Sequence, residues 1–264
     1  MLIIYMGDHS MKLSTAILTT LLNGTLFAGD TVIFDSALIG GSPVKPGEYT
    51  EVVRITNGRS WCTGTVVGPT ALLTAAHCTE SGGEVYFEHS GLVYNATCTL
   101  APDYTQTVGD QDMALCKLSS SHPGPYASIS QKPVSLLSYA RLIGYGCVQK
   151  GGGGGNDGIL RVGLSMVVRV PSDTYYSFHT RGNVALCYGD SGGPAFVADN
   201  SSHHTILGVN SRGDIKTLSL LTAVYHPNSI SFVEKWESEN DSLICGSGAS
   251  CTFTKKNSDE ACGY

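Results

Sequence analysis

Charge is scarce in this sequence. Asp, Glu, Lys and Arg together make up 14% of its 264 residues, against the ~25% usual for soluble domains. Basic residues are outnumbered as well: 16 Lys and Arg face 22 Asp and Glu, for a net charge of -6. No long basic stretch exists to track a phosphate backbone, and the pair Lys255-Lys256 is simply a solvated patch, so a nucleic-acid partner is not expected. Zinc spacing is missing too, because no Cys-x-x-Cys pair or Cys/His cluster has the spacing of a zinc site; no metal and no other cofactor is expected. The apolar run Thr15 to Leu22 is too short to span a membrane.

What is abundant is glycine, 32 residues, where ~7% of residues is the norm. Together with the low charge, this favours a turn-rich, strand-rich protein over a helical one. The length suits one large all-β or α/β domain, or two of about 100 to 130 residues each. Nine scattered cysteines read as disulfides, which need an oxidising compartment. The N-terminus agrees: Met11 and Lys12 lead into the apolar run, which ends near Ala28, as in a secretory signal covering residues 1 to 28 with translation starting at Met11. A secreted protein, extracellular or periplasmic, follows.

Cys187-Tyr188-Gly189-Asp190-Ser191-Gly192-Gly193-Pro194 has neither helical nor strand periodicity. It is backbone arranged around one hydroxyl, or else a Gly-Pro turn with an incidental serine. A serine nucleophile needs a base, a carboxylate to orient that base, and donors for an oxyanion. Upstream, Glu51 to Ile55 and Thr63 to Val67 have strand character, and the intervening Asn57-Gly58 signals a hairpin. Ala71-Leu72-Leu73-Thr74-Ala75-Ala76-His77-Cys78 then sets a histidine after an apolar run; a Cys62/Cys78 bridge would tie it to a rigid scaffold. Tyr94 to Leu100 is a further strand. Asp112 stands at the entrance of Met113-Ala114-Leu115-Cys116-Lys117-Leu118, as a turn residue or as a buried carboxylate holding an imidazole.

Leu38-Ile39-Gly40-Gly41, Leu73 to Cys78, Asp112 to Leu115, Gly144-Tyr145-Gly146 and Gly189 to Pro194 occur in one order, and over residues 38 to 237 the chain resembles the trypsin-like serine endopeptidases of chymotrypsin fold. The resemblance implies two six-stranded antiparallel β-barrels with an active site between them and a boundary near Ser130. It implies Ser191 as nucleophile, His77 as base and Asp112 as its orienter; Asp110 is a rival that the apolar run after Asp112 disfavours. The backbone N–H groups of Gly189 and Ser191 become the oxyanion donors. It further implies a short propeptide, residues 29 to 37, cut after Ala37 so that the Leu38 α-amine pairs with Asp190. Protein or peptide substrates are the expected partners, protein protease inhibitors besides, and the chain is expected to be a monomer. The rival reading from another class is a catalytically silent binding module on the same fold.

Several positions depart from the family pattern. The base of the primary pocket falls on Ala185, with Leu186 beside it, and no acid is there to meet a buried arginine or lysine. Small or apolar residues before the scissile bond are therefore expected. The wall strand matches Ser211-Arg212-Gly213, with Arg212 where the family has an aromatic; its charge is either solvated at the rim or selects acidic substrate groups, with Asn210 and Ser219 adding polarity. The family's partner for Cys187 is missing, and Cys147 takes its place as Cys147/Cys187; the family's layout sets Cys98 beside Cys116. Gly151 to Gly158 reads as a mobile loop. Ile159 to Arg169 and Thr205 to Val209 read as strands, and Ser229 to Trp236 as a helix capped by Ser229 or Ser231. The polar tail from Ser238 to Tyr264 holds Cys245, Cys251 and Cys262 and has little to bury.

Overall fold

The computed structural model describes residues 38–80, 82–153, 157–248 and Cys262. The expected signal and propeptide segments and Cys251 lie outside them. Among the described residues, fourteen strands and one α-helix follow in order. In the first half these are β1 (Ser42–Pro43), β2 (Val52–Thr56), β3 (Trp61–Gly68), β4 (Ala71–Thr74), β5 (Glu84–His89), β6 (Leu92–Leu100) and β7 (Ala114–Leu118). The second half holds β8 (Ser128–Ile129), β9 (Tyr139–Gly144), β10 (Arg161–Arg169), β11 (Ser177–Arg181), β12 (Pro194–Val197), β13 (Thr205–Gly213), β14 (Leu218–Ala223) and α1 (Pro227–Asn240).

Strands β2-β3-β4-β7-β6-β5 close into a barrel, with Thr56 opposite Tyr86 at the seam. A second ring runs β9-β10-β11-β14-β13-β12 and returns to β9, while β1 joins β10 at its margin and β8 pairs in parallel with β13. The fold is thus the expected pair of six-stranded antiparallel barrels. The chain has already crossed to the second barrel at Ser128, so the crossover lies between Leu118 and Ser128.

Alternation builds these barrels. In β6, Tyr94, Ala96 and Cys98 point inward while Asn95, Thr97 and Thr99 face solvent, the period of two that a half-buried strand requires. Asn57-Gly58 turns the chain between β2 and β3, with Gly58 at φ 89 and Asn57 Oδ1 accepting the N–H groups of Arg59 and Ser60 at 2.9 Å. Cys98 and Cys116 are register partners on β6 and β7 and are bridged there.

The helix is longer than the expected Ser229 to Trp236 and is capped differently. His226 is the N-cap, its Nδ1 accepting the Asn228 N–H at 3.3 Å, and Pro227 follows at the first helical position, where a missing N–H costs nothing. Ser229 is buried within the first turn and its Oγ accepts from Gln111 Nε2, so it is no cap. Phe232, Val233 and Trp236 do form the buried face.

The start of the tail also differs from expectation. Leu243, Ile244 and Cys245 are buried. They are stitched to the first barrel through Cys245 N–H to Val67 O (2.8 Å), and to β8 through Ile129 N–H to Cys245 O (2.7 Å). Cys245 is bridged to Cys262. Ile244 joins the core that holds Trp236, while Leu243 and Cys245 form a small cluster of their own with Cys262 and Tyr126. Among the described residues no helix is long and apolar enough to cross a membrane.

Candidate active site

β4 delivers the chain to Thr74, and Ala76–Cys78 then makes one 3₁₀ turn that carries His77. The Cys62–Cys78 disulfide fastens this turn to β3. Asp112 sits just ahead of β7, the strand paired with β4, so the two side chains are brought together by one sheet. His77 Nδ1 lies 2.7 Å from Asp112 Oδ2, and the His77 backbone N–H donates to Asp112 Oδ1 at 3.1 Å. Ser211 Oγ adds a donor to Oδ2 at 2.5 Å. The Asp112 side chain is 1% exposed against 35% for His77. Burial alone would push the Asp112 carboxyl up, but the hydrogen bonds and charge of His77, with Ser211, outweigh it and hold the group below its ordinary value.

Asp110, the rival, is buried as well but turns elsewhere. Its carboxylate accepts the Thr105 N–H at 3.0 Å and faces Arg212 Nη2 at 3.5 Å. Burial raises its pKa, the Thr105 hydrogen bond and Arg212 opposing. No hydrogen bond joins it to the imidazole.

Ser191 stands in the loop before β12. Asp190 N–H closes on Cys187 O (3.1 Å), Gly192 N–H on Asn210 O (2.7 Å) and Gly193 N–H on Asp190 O (3.0 Å). Among the described residues the N–H groups of Gly189 and Ser191 meet no acceptor. Gly192 has no alternative: at φ 82 a Cβ would fall 2.1 Å from Thr74 Oγ1 and 2.3 Å from Thr63 O. Ser191 Oγ donates to Ser211 O at 3.4 Å. His77 and Ser191 share one cavity of about 680 Å³, with Tyr104, Leu186, Arg212 and Ile215 in its walls. Another cavity, of about 630 Å³ around Tyr49, Arg141 and His204, contains neither.

The expected pocket residues divide. Leu186, Ser211, Arg212 and Gly213 line the cavity. Ala185 does not: it is fully buried and its N–H donates to Ile39 O at 3.0 Å. Asn210 and Ser219 are consumed structurally, Asn210 Nδ2 donating to Ile143 O at 2.9 Å and Ser219 Oγ accepting from Leu186 N–H at 3.0 Å. Arg212 is not a solvated rim charge. Its Nε donates to Ser211 Oγ at 3.2 Å, its Nη1 to Gln106 O at 3.3 Å, and its Nη2 lies 3.5 Å from Asp110 and 3.6 Å from Asp112. Ile215, Tyr104 and the exposed Tyr188 complete the walls. Ile215 went unrecognised because no motif marks it; it packs on Ala185 and the Cys147–Cys187 bridge from a short turn built on Asp214.

Asp190 is completely buried. Gly146 N–H donates to its Oδ1 and Cys187 N–H to its Oδ2, each at 2.8 Å. Gly144 and Gly146 leave it room, since a Cβ on either would come within 2.6 Å of its side chain. No salt bridge reaches it among the described residues: the buried Arg161 is paired with Asp157 at 2.7 Å. Burial pushes the Asp190 carboxyl up to about 7, the two backbone N–H groups and distant Arg161 opposing. Leu38 is buried, at φ 57, and Ile39 is bridged to Ala185. Cys62, His77 and Cys78 are close enough to suggest a metal site, but the two sulfurs are joined to each other and offer no thiolate.

An imidazole backed by a buried carboxylate and sharing a cavity with a loop serine, in a pair of β-barrels, defines the class: a serine hydrolase of all-β architecture. The family model described as Trypsin matches residues 38–234, and the chain belongs to that family; it is a serine endopeptidase. It is 28% identical to a trypsin-like protease of Streptomyces glaucescens over 72% of this chain and 78% of that one. It is 26% identical to serine protease 1 of Drosophila melanogaster (67% and 75%) and 27% identical to trypsin-1 of Salmo salar (66% and 79%).

Proposed function

We propose that the protein is a secreted endopeptidase made as an inactive precursor, and that it cuts peptide bonds after small or apolar residues. In this reading Ser191 Oγ attacks the scissile carbonyl carbon while the free ring nitrogen of His77 takes the hydroxyl proton. The carbonyl oxygen becomes an oxyanion between the N–H groups of Gly189 and Ser191. His77 then gives the proton to the leaving amine as the C–N bond breaks, and water, deprotonated by the same imidazole, releases the acyl group from Ser191. Asp112 holds the ring and stabilises its cation. The observation that carries the reading is the 2.7 Å contact from His77 Nδ1 to Asp112 Oδ2, which leaves the other ring nitrogen for Ser191 in the same cavity.

The preference is supported by the apolar walls of Leu186 and Ile215 beside Cys187; Glu80, an acid of the same cavity, is already paired with Arg59 at 3.3 Å. Arg212 does not favour acidic substrates, because its charge is already met by two carboxylates. Activation by cleavage after Ala37 is supported by Asp190, a buried carboxylate short of a cation, and by the disulfides, which suit an oxidising compartment. The test compares a chain starting at Leu38 with one retaining residues 1 to 37 on a peptide library. Cleavage after alanine, valine or leucine by the shorter chain alone supports the reading. Equal activity of both chains, or cleavage confined to arginine and lysine, refutes it.

A further inference from the structure

Two neighbouring residues of β13 reach one buried carboxylate, which plain alternation along a strand does not allow, since successive side chains point to opposite faces. Ser211 Oγ donates to Asp112 Oδ2 at 2.5 Å, and Arg212 Nη2 lies 3.6 Å from that same oxygen. The exception is made by the backbone. Asn210 and Arg212 pair with the adjacent Leu221 and Leu220 of β14, so Ser211 is an extra residue in its strand, and a bulge of this kind re-aims a side chain. Arg212 Nε also donates to Ser211 Oγ at 3.2 Å, which polarises that hydroxyl as a donor to Asp112.

Asp112 Oδ2 is also the atom that meets His77 Nδ1, at 2.7 Å. The guanidinium nitrogen is therefore no farther from the imidazole than those two contacts laid end to end, and the two carboxylates beside it are buried, so its charge is felt with little screening. The other titratable side chains of the cavity are Glu80, Tyr104 and Tyr188. Glu80 is paired with Arg59 and Tyr188 is exposed. Tyr104 is pushed up to about 12 by burial and by Asp112 and Asp110, Arg212 opposing, and stays neutral. What acts on the imidazole is then the buried Asp112, which favours its cation, with Asp110 3.5 Å from Arg212 on the same side of the charge balance. Arg212 is the one positive group among them.

We propose that Arg212 sets the lower pH limit of the enzyme: by offsetting part of the Asp112 charge it weakens the hold on the imidazolium, so that activity extends to lower pH than the Asp112–His77 pair alone would allow. Arg212 is a positioning residue that acts through Asp112. The proposal rests on the reading of His77 as base and Ser191 as nucleophile.

The test uses the processed chain with R212Q, R212K and D110N and follows kcat/KM for a peptide anilide across pH, because the acidic limb of kcat/KM belongs to the base of the free enzyme. R212Q removes the cation and is expected to move that limb to higher pH by roughly half a unit to one unit. R212K keeps the charge and leaves the limb near its wild-type position. D110N removes the competing acid and leaves Arg212 to Asp112 alone, so the limb moves to lower pH; this variant keeps the test decisive if R212Q folds poorly. A purely structural role lowers activity at every pH and moves no limb. A folded R212Q with the wild-type limb, an equal shift in R212K, or a limb unmoved or raised in D110N would overturn the proposal. Phosphonate labelling of the wild type separates the two ideas: an unreactive Ser191 overturns the nucleophile reading, whereas labelled wild type with a limb that R212Q and D110N leave in place overturns the role of Arg212 alone.

Discussion

The guanidinium of Arg212 lies 3.6 Å from the carboxylate of Asp112 and 3.5 Å from that of Asp110. One cation thus serves two buried acids, and one of those acids holds the His77 imidazole. Replacing Arg212 with alanine is expected to leave substrate preference for acidic residues unchanged and to lower stability instead. Broken buried pairs cost about 3–5 kcal/mol, and the part exposure of Arg212 reduces this to roughly 1–2 kcal/mol. Burial already raises the Asp110 pKa and loss of Arg212 raises it further. A raised carboxyl binds its proton more tightly in the folded state, so the R212A deficit grows as pH climbs above about 4. Urea titrations at pH 4.5 and 7 check this; an equal deficit at both would contradict it.

In the proposed precursor, Asp190 is expected to make stability depend on pH. Its carboxyl, held up at about 7 by burial, is well above the ordinary value of 3.8. The folded precursor therefore binds that proton more tightly than the unfolded chain and loses up to a few kcal/mol of stability between about pH 4 and pH 7. On the proposed activation the freed Leu38 amine is expected to supply the missing cation, an interaction lost as the amine deprotonates above about pH 8. Melting temperatures of the precursor and the processed chain should separate most between pH 7 and 8. In D190N that gap should vanish.

Ile215 lines the cavity that holds His77 and Ser191 and is expected to set the depth of the proposed specificity pocket. It packs over Ala185 and the Cys147–Cys187 bridge, so I215A is expected to shift cleavage from alanine and valine toward phenylalanine and tyrosine by roughly tenfold in relative kcat/KM, the worth of a few methylenes. Arginine and lysine remain poor, because no carboxylate is uncovered. Profiling with a peptide library reads both outcomes.

The Cys245–Cys262 bridge staples the tail across a sequence separation of 17. A loop of that size corresponds to about 3 kcal/mol in the chain-entropy model. C245S/C262S should lower unfolding stability by about that much with kcat/KM unchanged, since neither cysteine lines the cavity that holds His77 and Ser191. Denaturation and kinetics on one preparation suffice.

The sequence made some parts of this site easy to read and hid others. His77, Asp112 and Ser191 were legible because each sits in a short local motif whose order along the chain is itself informative. The strands were legible where one face meets solvent, as in β6. Arg212 was misjudged because its partners lie far away in sequence, Asp110 being 102 positions removed. Thr63 carries no motif at all; the second barrel brings Gly189 O against its hydroxyl, 126 positions on. Ala185 fell at the expected depth but is covered by Ile39 and Ile215, two residues with no pattern of their own. The helix start was misplaced because a histidine cap followed by proline outdid the serines inside it.

Covalent labelling tests the central claim most directly. The chain starting at Leu38 is treated with a peptidyl phosphonate bearing a small apolar side chain, and the peptide containing Ser191 is weighed by mass spectrometry. The account predicts a single adduct on Ser191, absent in S191A and strongly slowed in H77A. A folded wild-type chain that stays unlabelled, or one labelled equally well in H77A, would contradict it.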